Sequence, residues 1–459
     1  MLDAVVVGGG TGGYVSAIRI SQQGGKVVLI ERDKMGGLCL NRGCIPTKFM
    51  VHNIRQLMGV KKNPLISGDI TIDYAQLVSR KNQITEMLCK GLEMLLGSHG
   101  VKIINGTAIP ESPRAMRVQL SDGREERLET NNIILATGSE PLKIPGIIPD
   151  GNRILTSDDL LDMTSLPNNL LILGGGYIGV EFASIYSSLG TKVTLVEQLS
   201  EILQGMDEEC VRMIKSLLIK NRVDVFTGSG IQDVVQDEHG LKMHVMTPTG
   251  FKEMNVEKML VATGRKASID DAFMHQGLVT NEKQIVVNAR METNIAGVYA
   301  VGDVAGPPLL AHAAMAEAEV AADNIMGKDR TIDHSKTPAC IFTTPEAASV
   351  GLTEQKAGQG HDIKIGKFLF RYSSRAILAN EPEGFVKVIA DANSRDVLGV
   401  HIIGPSAAEL IVTASVLLKK GGKVQDLAEA IQAHPTLGEA FTEAALDVDG
   451  LGIHIPKAP

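Results

Sequence analysis

Two cysteines, Cys39 and Cys44, stand five positions apart in the stretch GGLCLNRGCIPTKFM, with Pro46 and Lys48 just behind them. Such a pair can clasp a metal, form a structural bridge or exchange a disulfide. Zinc needs four ligands, and His52 is the one nearby candidate to join the two sulfurs. The other three cysteines (Cys89, Cys210, Cys340) are scattered singly through 459 residues, the usage of a reducing compartment. There a close pair is more often catalytic or metal-binding than structural. Residues five apart in a regular helix have Cα atoms roughly 8–9 Å apart, beyond the approximately 7 Å that a disulfide spans. A bridge therefore requires a distorted turn, and Gly43 and Pro46 are residue types that allow or impose one. Strain and a nearby helix start favour a reactive bridge, and Lys48 adds positive charge on about the same face. An ordinary solvated lysine remains the alternative for Lys48.

Thiol exchange also needs a base. In AHPTLGEAFTEAAL, His434 precedes Pro435, which fits the first position of a helix, and Glu439 follows about one and a half turns later. A carboxylate that orients an imidazole is the base-plus-orienter arrangement, here available to a thiol. A surface or capping histidine is the competing reading.

The elements that must carry these groups announce themselves as a repeat. AVVVGGGTGGYVSAIRISQQGGKVVLIE and LLILGGGYIGVEFASIYSSLGTKVTLVE align at a fixed offset. Each has an apolar run, a G-x-G-x-x-G turn (Gly8, Gly10, Gly13; Gly174, Gly176, Gly179), and a helical stretch ended by glycine. Each closes on a β-branched run that finishes in Glu31 or Glu197. In a βαβ cradle, glycines let the backbone approach a pyrophosphate, the helix start points N–H groups at it, and the terminal acid accepts from a ribose diol. Two cradles imply two dinucleotides. Glu197 is followed by QLSE without an arginine to meet a 2′-phosphate, which favours NAD over NADP at the second.

Further apolar runs stop at Ala-Thr-Gly (NIILATGSEP, KMLVATGRKA), and TNIAGVYAVGDVAG closes on Gly302-Asp303, with helical periodicity behind it. From about residue 336 the pattern alternates β-branched runs with turns and then gives helices, as in a separate α+β domain. The fold expected is α/β, with two Rossmann-like units. The boundaries are a first part of one unit over 1–145, the second unit over 146–264, a return to the first over 265–335 and a last domain over 336–459. A net charge of −8 with mixed signs argues against a nucleic-acid surface, and no apolar run reaches membrane-spanning length. Asp3 in MLDAVVVGGG stands where an export leader would be basic, so a cytoplasmic chain is expected.

The double cradle, C-x4-C and His-Pro-Thr…Glu in one chain resemble the pyridine nucleotide–disulfide oxidoreductases, over almost the whole length. Within that family the lipoamide-oxidising branch is the best match. The resemblance implies FAD in the first cradle, with Glu31 at the adenosine ribose and Lys48 near the flavin. Ala108 and Gly138 would lie alongside, and Asp303 and Ala311 would hold the flavin end. NAD would lie on Gly174, Gly176 and Gly179, with Glu197 at its ribose, Gly264 nearby and Glu181 paired with Lys48. Cys39 would be the interchange thiol and Cys44 the thiol next to the flavin. His434, held by Glu439, would come from the second subunit of a homodimer. The implied reaction passes electrons from a dihydrolipoyl group on a carrier protein through the cysteine pair and flavin to NAD⁺. Two departures stand out: Thr47 replaces the commoner serine, and Tyr177 stands where glutathione-reducing members carry an aromatic residue. Against a mercury-reducing member, the chain ends GLGIHIPKAP without a cysteine pair.

Overall fold

The computed structural model describes residues 1–269, 271–281 and 284–456. Apolar runs at the N-terminus form β1 (Leu2–Val7) and β2 (Val27–Glu31), joined by helix α1 (Thr11–Gln22). They pair in parallel with Val5 opposite Val28. β3 (Lys102–Ser112), β4 (Ala115–Leu120) and β5 (Glu125–Leu135) form an antiparallel meander. Its outer strands also extend the parallel sheet, β3 beside β2 and β5 beside β1. Strand Val298–Ala300 closes the edge against β5. Unbroken Val/Ile/Leu strands are what a parallel sheet covered on both faces requires, and Ala4, Val5, Val6 and Leu29 are wholly buried. Helix Ala311–Ile325 lies against α1, where a Cβ on Gly12 would stand 3.0 Å from Val301 Cγ2 and 3.7 Å from Ala314 O.

The second unit repeats this plan, with its antiparallel strands as a separate sheet. Strand Asn169–Leu173, helix Tyr177–Ser188 and strand Lys192–Val196 are the second cradle. Strands Asp224–Phe226, Lys192–Val196, Asn169–Leu173, Lys258–Val261 and Ile154–Leu155 lie side by side in parallel. An antiparallel three-stranded excursion, Gly230–Gln236, Leu241–Thr247 and Gly250–Val256, precedes the strand that pairs with the first one, as in the first unit. The repeat thus extends well beyond the glycine turns.

The last domain is an antiparallel five-stranded sheet ordered Ala339–Ile341, Glu346–Gly351, Val397–Gly404, Phe385–Asp391, Ile363–Leu369. Helices Ala407–Lys419 and Glu439–Asp447 pack on it. Exposed Val412, Val416, Ile431, Leu451 and Ile453 leave this domain with an apolar surface of the kind that marks a partner face.

Between β2 and β3 the chain leaves the sheet for α2 (Gly37–Arg42), α3 (Cys44–Lys62) and α4 (Tyr74–Ser98). Met50, Val51 and Ile54 of α3 share one core with Phe182 and Ile185 of the second cradle helix and with Ile341 and Phe385 of the last domain. The helix that begins at Cys44 is therefore wedged where all three parts of the molecule meet.

Candidate active site

The cysteine segment is seated by its glycines. Gly36 and Gly37 have φ of 91° and 57°, in the left-handed region that disfavours side chains, and a Cβ on Gly37 would fall 2.7 Å from Gly10 Cα. That contact presses the start of α2 against the first glycine turn. At Gly43 the backbone (φ −134°, ψ −109°) breaks the helix, so Cys39 lies on α2 and Cys44 opens α3. The break anticipated from the five-residue spacing is present, and it lets the two thiols hydrogen-bond each other. The bond from Cys39 draws the Cys44 thiol down to about 7 against the effect of burial, and Lys48 acts in the same direction. Cys39, bonded to Cys44 and buried beside it, is pushed up instead. Cys44 is thus the sulfur built to be a thiolate.

Lys48 sits one turn further along α3. Its Nζ donates to both carboxylate oxygens of Glu181, at 2.9 and 2.8 Å, and lies 4.5 Å from the centre of the Phe342 ring. Glu181 is 5 % exposed on the second cradle helix, and its Oε1 also accepts the Phe342 N–H at 3.0 Å. One buried carboxylate therefore joins the redox helix, the second cradle and the last domain. Removing one partner of such a pair would leave the buried carboxylate short of its counter-charge.

The two cradles have the same internal geometry. Glu31 accepts the Gly9 N–H at 2.6 Å and the Asp33 N–H at 2.7 Å. Glu197 accepts the Gly175 N–H at 2.5 Å and the Leu199 N–H at 2.8 Å. The first and third glycines serve the chain itself: a Cβ on Gly13 would lie 1.8 Å from Gly8 O, and one on Gly179 would lie 1.9 Å from Gly174 O. The middle glycines do not. A Cβ on Gly176 would meet nothing within 4 Å, and one on Gly10 only Gly37 Cα at 3.9 Å. Neither helix has a side-chain cap, so its first N–H groups face that open space. Thr263 Oγ1 beside the second turn is buried without a partner. Open room, free N–H groups and an unmatched hydroxyl fit a pyrophosphate-bearing dinucleotide in each cradle.

Gly138 (φ 73°) follows β5 and Gly264 (φ 122°) follows the corresponding strand of the second unit, while Ala108 is buried on β3. Ala311 is the first residue of helix Ala311–Ile325, close after the turn carrying Asp303. Asp303 accepts a short bond from Ser139 Oγ, and Arg265 donates to Ser139 Oγ at 2.8 Å and to Ser139 O at 2.7 Å. Ser139, Arg265 and Phe342 were not singled out in the sequence, because nothing in their local pattern sets them apart.

His434 Nδ1 and Glu439 Oε1 are 2.8 Å apart, and Glu439 Oε2 accepts the Thr436 N–H at 2.8 Å. Burial works to raise the Glu439 carboxyl, but these two bonds hold it below its usual value. The helix begins at Glu439, so Pro435 is not at its first position as expected. It lies in the turn ahead, across which His434 reaches back to the helix start. The imidazole is 72 % exposed, and among the described residues no hydrogen bond or ion pair ties this dyad to the cysteine pair of the same chain.

Residues 2–318 match the pyridine nucleotide-disulphide oxidoreductase family, and residues 337–445 match its dimerisation domain. The chain is 38% identical over 468 residues to dihydrolipoyl dehydrogenase 2 of Haloarcula marismortui, with 98% of each chain covered. It is 36% identical over 463 residues to a dihydrolipoyl dehydrogenase of Bacillus subtilis, covering 99% of this chain and 100% of the relative. Among solved structures, LpdA from Mycobacterium tuberculosis superposes with a TM-score of 0.90 at 25% identity, covering 96% of this chain and 98% of that one. The HOCl-induced flavoprotein disulfide reductase RclA from Escherichia coli, solved as a Cu(II) complex, gives 0.86 at 28%, covering 97% and 98%. The chain belongs to the pyridine nucleotide–disulphide oxidoreductases. It is an oxidoreductase that uses FAD and NAD, with an α/β fold of two nucleotide-binding units and a dimerisation domain through which it forms a homodimer. No helix among the described residues is long and apolar enough to cross a membrane.

Proposed function

We propose that this enzyme oxidises dihydrolipoyl groups carried on a partner protein of a multienzyme complex and reduces NAD⁺ to NADH, in the cytoplasm. The observation that carries the reading is the placement of the cysteine pair, Cys39 on α2 and Cys44 at the start of α3, one turn ahead of the Lys48–Glu181 contact. Cys44 is made acidic by the Cys39 bond and by Lys48, while Cys39 is not. In the disulfide form, a substrate thiol loses its proton to His434 Nε2 of the other subunit and attacks Cys39. The S–S bond breaks, and Cys44 leaves as a thiolate that the start of α3 and Lys48 stabilise. The second substrate thiol then displaces Cys39, which takes a proton and leaves an oxidised lipoyl ring. Substrate has lost two electrons, and the pair has become the dithiol. Glu439 keeps the His434 proton on Nδ1, so that Nε2 is the free base.

FAD supplies the two-electron chemistry that connects this dithiol to NAD⁺. The groups that would hold it are Gly8, Gly10, Gly13 and Glu31, with Lys48, Ala108, Gly138, Asp303 and Ala311 toward the flavin. Gly174, Gly176, Gly179 and Glu197 would hold NAD, with Glu181 and Gly264 nearby. In this reading residues 1–145 and 265–335 make the FAD unit, 146–264 the NAD unit and 336–459 the dimer interface.

The relatives named dihydrolipoyl dehydrogenase support lipoamide as substrate. A second reading, NADH-dependent reduction of another disulfide or acceptor, is favoured by half-buried Tyr177 at the start of the second cradle helix and by the likeness to RclA. The test is a steady-state comparison of dihydrolipoamide, a lipoylated carrier domain, glutathione disulfide and mercuric ion with NAD(H) and NADP(H). Fastest turnover with the lipoyl substrates and NAD⁺ is expected, with Cys39→Ser inactive yet still yellow. Turnover confined to another acceptor, or retained by Cys39→Ser, refutes the assignment.

A further inference from the structure

Behind the Gly302–Asp303 turn lies a second acid–base pair that the reaction above does not use. Glu317, on helix Ala311–Ile325, is 2 % exposed. Its Oε2 accepts the Gly302 N–H at 2.6 Å, and its Oε1 is 3.2 Å from His334 Nε2. The other ring nitrogen, His334 Nδ1, is buried without a partner. Gly302 has φ of 76°, and this carboxyl takes its N–H from behind the turn that presents Asp303. Burial pushes the Glu317 carboxyl up to about 7, with Asp303 adding in the same direction, and burial pushes His334 down. Both shifts favour the uncharged form of each group, although the Gly302 bond acts the other way on Glu317.

We propose that Glu317 is a positioning residue for the flavin, fixing the Gly302–Asp303 turn through the Gly302 N–H with the His334 ring beside it, so that FAD binding is coupled to proton uptake by this buried carboxyl. The proposal rests on the reading that Asp303 holds FAD. A ligand seated against Asp303 displaces water from it, and the field of one carboxylate on the next strengthens as the dielectric falls. The protonated form of Glu317 is then favoured further. Of the other charged groups around the pair, Asp333 opposes the effect of burial on His334 and is itself paired with Lys336 of the same turn. Arg265 acts on Asp303 and binds Ser139, and Asp333 caps the turn carrying His334 through the Ser335 N–H. On the elements packed against that turn, Glu346 is bound to Arg55, and Glu409 lies in the first turn of its helix.

The sign follows from linkage. Binding that takes up a proton weakens as pH rises through the titration of the group, by at most about tenfold per pH unit for a single proton. FAD retention by diluted holoenzyme, read from released flavin fluorescence, should fall about 3- to 10-fold between pH 6 and 8.5. Glu317→Gln keeps an acceptor for the Gly302 N–H but cannot ionise, and its retention should be flat over that range and near the wild-type level at pH 6. Calorimetric titration of the deflavinated full chain with FAD at pH 7.5, in buffers of different ionisation heat, should show proton uptake for wild type and none for Glu317→Gln. Flat wild-type retention, or equal proton uptake by both proteins, overturns the proposal while leaving the lipoamide reading intact. Failure of the wild type to take up FAD at any pH removes both. Should Glu317→Gln not fold, the wild-type pH series alone still decides.

Discussion

The repeated glycine turns permit a separation of what the fold needs from what the ligand needs, within six consecutive residues. Alanine at Gly179 would put a methyl 1.9 Å from the carbonyl oxygen of Gly174, a backbone atom just past the strand whose residue is tied by its N–H to Val196 O. Overpacking where side chains can yield costs about 1–3 kcal/mol, so at least about 3 kcal/mol is expected here. Alanine at Gly176 meets no atom within 4 Å, and φ of −74° suits it. Losing glycine at a helix start costs a few tenths of a kcal/mol or somewhat more, while the stiffer unfolded chain returns about 0.4–1 kcal/mol. Net stability should stay within about 0.5 kcal/mol of wild type. The open space that receives this methyl is where a pyrophosphate must approach the backbone, so NADH affinity should drop at least about 100-fold, or about 2.7 kcal/mol. Chemical unfolding of each variant, with equilibrium dialysis against NADH, measures both quantities. An early-unfolding Gly176→Ala, or one that binds NADH as wild type does, would refute the division of labour.

Three further outcomes are expected. Lys48→Ala should raise the Cys44 thiol above its value of about 7, and Glu181→Gln should lower it, since the two charges act on it in opposite senses. Thiolate absorbance of the reduced protein against pH would read both, and shifts of the same sign would contradict the electrostatics. His434→Gln should slow dithiol oxidation on the order of 10²-fold or more, with NADH-driven reduction of a one-electron dye little changed; equal losses in both would move the base elsewhere. NADPH should compete poorly with NADH because Glu197 has no arginine beside it, and replacing Glu197 by Gln should narrow the gap in their dissociation constants.

Much of this architecture was legible because it is written locally. The glycine spacing, the closing acids and the apolar runs all act within a stretch of about thirty residues, and each half repeats the other. The helix break between the cysteines followed from the reach of a disulfide alone. The Lys48–Glu181 pair, separated by 133 positions, has no local signature and came only through family likeness. The Phe342 N–H, the Ser139–Arg265 contacts and the Glu317–His334 pair are likewise products of packing between distant segments. Pro435 shows the opposite error, since a residue type suited to begin a helix sits before one because His434 and Thr436 both turn back to Glu439.

Glu181 has a consequence for motion. Any swing of the second nucleotide-binding lobe away from the rest would strip the Glu181 carboxylate of its ammonium and its amide at once, a loss that hydration would have to offset. The three lobes should consequently travel as a single chassis through the catalytic cycle, with nicotinamide entry left to side-chain rearrangement alone. Distances between labels on different lobes should then stay the same in the oxidised, reduced and NADH-bound states.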